Sequence, residues 1–498
     1  MNILLRNARI IGRTQAPRDV LIDGDVIRAI APGVVGVSAP DAEVVDLDGR
    51  FLAPGLWDSH VHFGQWALVS RRLDVSTARS AVEAAAIVRD RLATDPPAEG
   101  EVLVGFGFRD GLWPDVPTAE LLDFGDAPVA LVSGDVHSLW SNRAALRMLG
   151  RPDEHWLLRE QAAFDLNVEL SQVPEETRDA WAIEAAERAA SRGVVGVVDL
   201  EMQDAVGAWQ RRFGAGFRGL RVKAGVYPDD FGAVVAAGIR TGSAIDGSDG
   251  LLTGGPFKLF TDGSLNTRTA WCTDPYPGLT GHESHGLATY ELPELVSRAR
   301  EAYRHGLVPT IHAIGDLAVT QALDAFEALP FENLHVGPEG GRGSIEHAQL
   351  VSPADLQRFA DLGVIASVQP EHAIDDRDVA DHYWAGRTDR AFAYRALLDA
   401  GAELQLGSDA PVAPLDPWVT LAAAVFRTRD GREPWHPEQA LPIEDALQAS
   451  QGRVARVNTG GVADLVITET DPRTASGDEL RAMPVWATMV AGRWSYRG

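Results

Sequence analysis

Apolar and polar positions alternate at both ends of the chain, whereas the middle alternates short continuous apolar runs with stretches of helical period. In the first fifty residues VLIDGDVIRAI sets Asp23-Gly24 between two alternating runs, a hairpin signal, and VVDLDGRFLAP repeats the device at Asp48-Gly49. Near the other end GVADLVIT and VWATMVAGRWSY read as strands, with Ala491-Gly492 as a turn. Neither end holds enough strands to bury a sheet alone, so residues 1–52 and 456–498 are expected to combine into one small β-sandwich domain.

Between them, over 53–455, eight strand-like runs occur: LAPGLWDSHVHF from 52, VVGVVDLE from 194, LRVKAGVY from 220, PFKLFTDG from 256, LVPTIHA from 307, GSIEHA from 343, VIASVQP from 364 and ELQLGSDA from 403. Helical segments such as DAWAIEAAERAASR, PELVSRAREAYRH and PADLQRFADLG separate several of them. Ser352, Pro353 and Asp355 give the last of these a capped start, and Gly363 suits its end. Eight strands in β/α alternation predict an α/β fold, a (β/α)8 TIM-like barrel. The gap between the first two strands exceeds one crossover, so about 65–175 is expected to hold an inserted subdomain with its own strands, EVLVGFGF and PVALVSGDVH.

The carboxyl ends of parallel barrel strands open on one mouth, and residues there converge although they are far apart in sequence. The first run ends in His60-Val61-His62, whose imidazoles share a face because residues two apart on a strand point the same way. Lys258, His312, His347 and Asp409 close later runs. Imidazoles plus a carboxylate suit zinc or a similar first-row divalent ion. Lys258 adds a second ion if burial lowers its pKa, because it then reacts with carbon dioxide to give a bridging carbamate. Two zinc ions per chain are expected, with manganese, iron, cobalt or nickel as alternatives. A shared metal-bound hydroxide is the expected nucleophile, and Asp409 the general base and acid. The competing readings are Lys258 paired with Asp262 or another carboxylate, and Asp409 capping the helix after it. Asp58, on the face of His60 and His62, is read as supporting a ligand.

Composition narrows the chemistry further. The formal net charge of −26 opposes binding to nucleic acid or anionic membranes. The single cysteine, Cys272, leaves nitrogen and oxygen as the metal donors. MNILLRNARIIG lacks an apolar signal core and no apolar run spans a bilayer, so a cytoplasmic protein acting on a small molecule is expected, with a homodimer as the candidate assembly.

The order APGLWDSHVHF, FKLFTDGSL, IHAIGD, IEHAQ and GSDAPV resembles the amidohydrolase superfamily, in its YtcJ-like, N-substituted formamide deformylase-like branch. The resemblance implies a barrel with a binuclear divalent-metal centre, a carboxylated lysine, and hydrolysis of a carbon–nitrogen bond other than a peptide bond. It covers nearly the whole chain, and GDVHSLWSNRAAL looks like the family's inserted segment with its His and Asn. The chain departs from the family where a Gly-Lys-x-Ala-Asp turn is usual, reading Gly461-Val462-Ala463-Asp464. His137 is a candidate catalytic residue that stabilises the oxyanion, and Trp140, Asn142, Arg268, Gln369 and His372 are candidates for binding substrate. His282 and His285 lie in a Gly-rich loop that reads as a lid or a connection, and tryptophans 66, 113, 140 and 384 hint at an aromatic pocket. Deamination, ester or lactone hydrolysis, or a non-hydrolytic reaction are alternatives on the same metal site. A non-catalytic scaffold is disfavoured because no expected ligand is missing.

Overall fold

The computed structural model describes residues 2–13, 16–33, 41–98, 100–110, 113–134, 138–159, 161–202, 204–329, 341–452 and 456–498. At its centre stand eight parallel strands: Leu56–Val61 (β1), Val194–Asp199 (β2), Arg221–Val226 (β3), Leu252–Phe260 (β4), Pro309–Ala313 (β5), Ser344–His347 (β6), Ile365–Val368 (β7) and Leu404–Leu406 (β8). Each pairs with the next in order, and a parallel bridge between Val61 and Ala410 closes the ring. Helices Ala205–Gly214, Phe231–Ala236, Leu292–Arg304, Asp316–Glu327, Leu356–Leu362 and Tyr394–Asp399 fall between successive strands from β2 onward. Helices on one face and side chains on the other leave such strands buried on both sides, hence the continuous apolar runs.

Leu356–Leu362 begins later than the Ser352-Pro353 signal implies. The Asp355 carboxylate does not cap it, because it accepts from the Thr320 hydroxyl at 2.5 Å and from Arg358 at 2.9 Å. Gly363, at φ +63°, ends the helix in the left-handed conformation.

Strands from both termini form one sheet. Asn2–Ile10 runs antiparallel to Arg18–Asp23, which turns through Asp23-Gly24 into Val26–Ala31. The second Asp-Gly signal makes no hairpin. Glu43–Asp46 and Phe51–Pro54 both lie parallel to Asn2–Ile10, so Asp48-Gly49 is a jog between two segments running the same way. The Asp46 carboxylate holds the jog by accepting from the Asp48 N–H at 2.9 Å and the Asn7 amide at 2.8 Å. Leu465–Thr468 pairs with Phe51–Pro54 and continues to Val485–Val490 and Arg493–Arg497. Ile3, Leu5, Ile22 and Leu52 from one end share a core with Leu465, Ile467 and Met489 from the other. In the turn where the chain departs from the family, buried Asp464 accepts from Arg221 of β3 at 2.5 Å and from the Ala491 N–H at 2.7 Å. That carboxylate ties the terminal sheet to the barrel.

Residues Gly64–Ala185 form a compact unit of their own. Its five-stranded sheet runs in the order Leu157–Arg159, Ser138–Ser141, Val129–Ser133, Leu103–Phe108, Leu73–Asp74, over a core that includes Val88, Phe108, Leu131 and Trp140. Among the described residues no helix is long and apolar enough to cross a membrane.

Candidate metal centre

The ends of β1 and β8 are stitched together by backbone. Asp58 accepts from the N–H groups of His60 at 3.1 Å and Ser408 at 2.9 Å, the Asp409 N–H donates to the His60 carbonyl at 2.7 Å, and the His62 N–H to the Ala410 carbonyl at 2.9 Å. A Cβ on Gly407 would stand 2.6 Å from the His60 nitrogen, so the approach requires glycine. Burial pushes the Asp58 carboxyl up to about 6, against the hydrogen bonds from Ser408 and His60.

This brings the distant side chains together. His60, His347 and Asp409 each offer a ligand atom, all within 4.8 Å of one another. Asp409 Oδ1 lies 3.4 Å from His60 Nε2 and 3.3 Å from His62 Nε2. The His312 ring centres 4.4 Å from that of His347, and His60 4.9 Å from it. Lys258 is buried in the same field, since its charge acts on His60, His312 and His347. Its pKa is lowered by burial, with Glu346 and Asp409 opposing. Burial is also the chief cause that takes His312 down to about 3 and His347 well below the ordinary range, so both imidazoles are neutral and have lone pairs to give. Burial opposes the Asp409 charge, but His60, His62 and His347 outweigh it and keep the carboxylate ionised.

One member of the cluster went unread in the sequence. Glu346 lies on β6 in register with His312 of β5 and Ser367 of β7, and its Oε2 is 2.7 Å from His60 Nδ1. Burial raises its pKa, but His60, Lys258 and the Thr310 hydroxyl hold the carboxyl at about 2. Neighbours on a strand point to opposite faces, which admits Glu346 or His347 but not both. The structure admits both because His347 takes φ +74° and Ala348 φ +41°, turning the chain at the strand end. Asp409 is also left-handed, at φ +58°. Such backbone persists only where the surroundings enforce it. Here the Ala348 N–H donates to the Ala313 carbonyl at 3.0 Å, and the Asp409 N–H to His60.

The donor set fits a divalent cation. Among the described residues Lys258 Nζ, His62 Nδ1, His347 Nδ1 and His372 Nε2 are buried with no hydrogen-bond partner, a concentration that a folded protein tolerates where a ligand completes the set. Two of the rival readings do not match the contacts. Asp262 is taken by the N–H groups of Ile314, Gly315 and Trp271, leaving Lys258 unpaired with it, and the helix Pro417–Phe426 is capped by Asp416.

The remaining candidates divide. His372 follows β7 and is at the centre, its Nε2 3.8 Å from Asp409 Oδ2 and its ring parallel to that of His347. Gln369 Nε2 reaches His60 Nδ1 at 3.4 Å. Arg268, at φ +58°, is half-buried with its guanidinium 5.6 Å over the Tyr383 ring. Trp140 and Asn142 correct the substrate-contact reading, because both are core residues of the Gly64–Ala185 unit. Trp140 packs against Phe108 and Trp113 and donates to the Thr118 carbonyl at 3.0 Å. Asn142 caps the helix Arg143–Met148 and spends its amide on the Leu122 and Ala127 carbonyls. Trp384 is likewise fully buried, which corrects the pocket hint for it. His137 lies outside the described residues. His285 closes onto the Cys272 carbonyl at 3.1 Å, and its own carbonyl accepts from the Cys272 N–H at 2.8 Å, so this loop is a bonded connection.

The family described as amidohydrolase matches residues 43–496. The putative amidohydrolase YtcJ of Bacillus subtilis is 27% identical over 92% of this chain and 91% of its own. An N-substituted formamide deformylase of Arthrobacter pascens is 26% identical over 99% and 98%. The crystal structure of an uncharacterized metal-dependent hydrolase from Pyrococcus horikoshii superposes with a TM-score of 0.79 at 26% identity, covering 96% of this chain and 99% of that one.

Proposed function

The chain belongs to the amidohydrolase family, and on that premise we propose that it is a metal-dependent hydrolase that cleaves a non-peptide carbon–nitrogen bond of an amide or formamide. The observation that carries the reading is the buried cluster of His60, His347 and Asp409 with Lys258, His62 and His312 around it. These six residues would hold the metal, two zinc ions, with Lys258 carboxylated. A divalent ion there would supply Lewis acidity, acidifying water and polarising the scissile carbonyl. Asp409 takes the proton of the attacking water on its carboxylate and returns it to the leaving nitrogen. His372 offers Nε2 to the oxygen on which charge develops, its Nδ1 being 3.4 Å from the Gln349 amide nitrogen, while Gln369 lines the same mouth. Arg268, which has no carboxylate partner among the described residues, would grip a substrate carboxylate. The formamide deformylase relative supports the choice of bond. A cytoplasmic location, a small-molecule substrate and a homodimer complete the proposal.

The test is metal content by elemental analysis of protein purified without chelator, followed by a panel of N-substituted formamides, amides, esters, a cyclic amidine and a dipeptide. Two equivalents of metal and turnover of a formamide or amide are expected. Failure to bind zinc or manganese overturns the metal reading. Metal with preferred turnover of the ester or dipeptide overturns the choice of bond.

A further inference from the structure

We propose that Glu346 is the positioning residue of the centre: its carboxylate fixes His60 as the Nδ1–H tautomer and so commits the Nε2 lone pair to the ion. The inference rests on the metal-centre reading above. An imidazole that donates from one nitrogen has its single lone pair on the other, so the partner of Nδ1 decides what Nε2 can do. His60 Nδ1 has two contenders. Glu346 Oε2 stands at 2.7 Å and can only accept while ionised, whereas the Gln369 amide nitrogen stands at 3.4 Å and can only donate. Glu346 selects the ligating tautomer. Gln369 selects the opposite one, with the proton on Nε2 facing Asp409 Oδ1 at 3.4 Å, where it blocks an ion. The shorter bond prevails, since 3.4 Å is at the limit of hydrogen bonding.

The carboxylate is itself held on a shelf. Its other oxygen lies 2.5 Å from the Thr310 hydroxyl and 2.9 Å from the Ser344 hydroxyl, which stand 2.6 Å from each other, so the two hydroxyl protons are shared among three contacts and at least one is donated to the carboxylate. Thr310 and Ser344 pair in register between β5 and β6, as do His312 and Glu346, so shelf, carboxylate and a further candidate ligand move as one piece. Held at one oxygen by the two hydroxyls and aimed with the other at the ligand's second nitrogen, Glu346 sets the chemistry of His60 without reaching substrate.

The test uses the full chain with zinc or cobalt alone as probe. In Glu346→Gln, zinc affinity by chelator competition is expected to fall about 10- to 100-fold, the usual effect of losing such a partner. The visible absorption of the cobalt-loaded protein should shift. In the metal-free protein, nitrogen-15 spectra of histidine should show the His60 proton moving from Nδ1 to Nε2. Adding Gln369→Leu to Glu346→Gln removes the competing donor and should restore part of the affinity, which a merely structural role would not. A folded Glu346→Gln protein with wild-type zinc affinity, cobalt spectrum and tautomer overturns the proposal. If Glu346→Gln fails to fold, Thr310→Val with Ser344→Ala leaves the carboxylate in place but unpinned. A smaller loss of affinity then supports the assignment, and no loss overturns it. Wild-type protein that binds no divalent metal would instead overturn the metal reading itself.

Discussion

Replacing Lys258 by methionine is expected to stabilise the metal-free protein and to abolish turnover. Lys258 is 1% exposed, its Nζ has no hydrogen-bond partner, and burial outweighs the attraction of Glu346 and Asp409, with the Phe260 ring 5.4 Å away. Removing a buried polar group that has no hydrogen-bond partner relieves about 1–3 kcal/mol of desolvation. The lost cation–π contact takes back about 1 kcal/mol, so a net gain of about 0–2 kcal/mol is expected. The assay is thermal unfolding in chelator, with hydrogen exchange read on β4 and β5 to localise the effect. With zinc in large excess the order should reverse, because a ligand at about 1,000 times its Kd adds about 4 kcal/mol to the protein that binds it. Turnover should fall at least about 100-fold, as when one stabiliser of transition-state charge is removed. Bicarbonate should raise metal content in the wild type and leave the variant unchanged. If Lys258→Met is the less stable protein in chelator, Lys258 is held by Glu346 as a stabilising ion pair, and the argument for a carbamate falls with it.

Asp409→Asn puts an amide where three imidazoles converge, and kcat on a formamide should fall about 100- to 10,000-fold; a near-wild-type kcat would remove Asp409 from the proton path. Asn142→Ala strips the partners from two carbonyls and two N–H groups, costing about 3–5 kcal/mol, with faster hydrogen exchange confined to Gly64–Ala185; an altered KM with unchanged exchange would restore Asn142 as a substrate contact. Asp199 is pushed up from 3.8 to about 6, chiefly by burial and then by Glu201, so its proton is bound more tightly in the folded state. Its contribution to stability is therefore present in full below pH 3.8 and lost as pH rises through about 6, a change of about 3 kcal/mol. Asp199→Asn should gain on the wild type by that amount between pH 4 and pH 7 in unfolding experiments, and a constant difference would contradict the assignment.

The barrel was legible because its signal is redundant: eight apolar runs in β/α alternation, with the six candidate ligands at or beside strand ends. Glycine-based turn signals were less decisive. Asp23-Gly24 and Asp48-Gly49 look alike, yet one closes a hairpin and the other carries the chain along the same neighbour, because Asn7 and Asp46 hold the second in place. Nothing within the dipeptide distinguishes them. Trp140 and Asn142 stood out as chemistry-bearing residues within the segment that resembles the family's insert, and the structure spends both on the insert's own packing and capping.

Glu346 was missed for a reason that bears on how the centre works. Period-2 reasoning assigns one face per strand position and gave β6 to His347. The chain instead keeps Glu346 on the inner face and breaks the period one residue later, at a left-handed histidine. That conformation costs about 1–3 kcal/mol for a residue other than glycine, as does the same conformation at Asp409. Both residues belong to the group of donors within 4.8 Å of one another, and both turns are held by backbone hydrogen bonds from a neighbouring strand end. A regular strand would present either the carboxylate that orients His60 or the imidazole beside it. The left-handed turn at His347 and Ala348 lets one short strand present both.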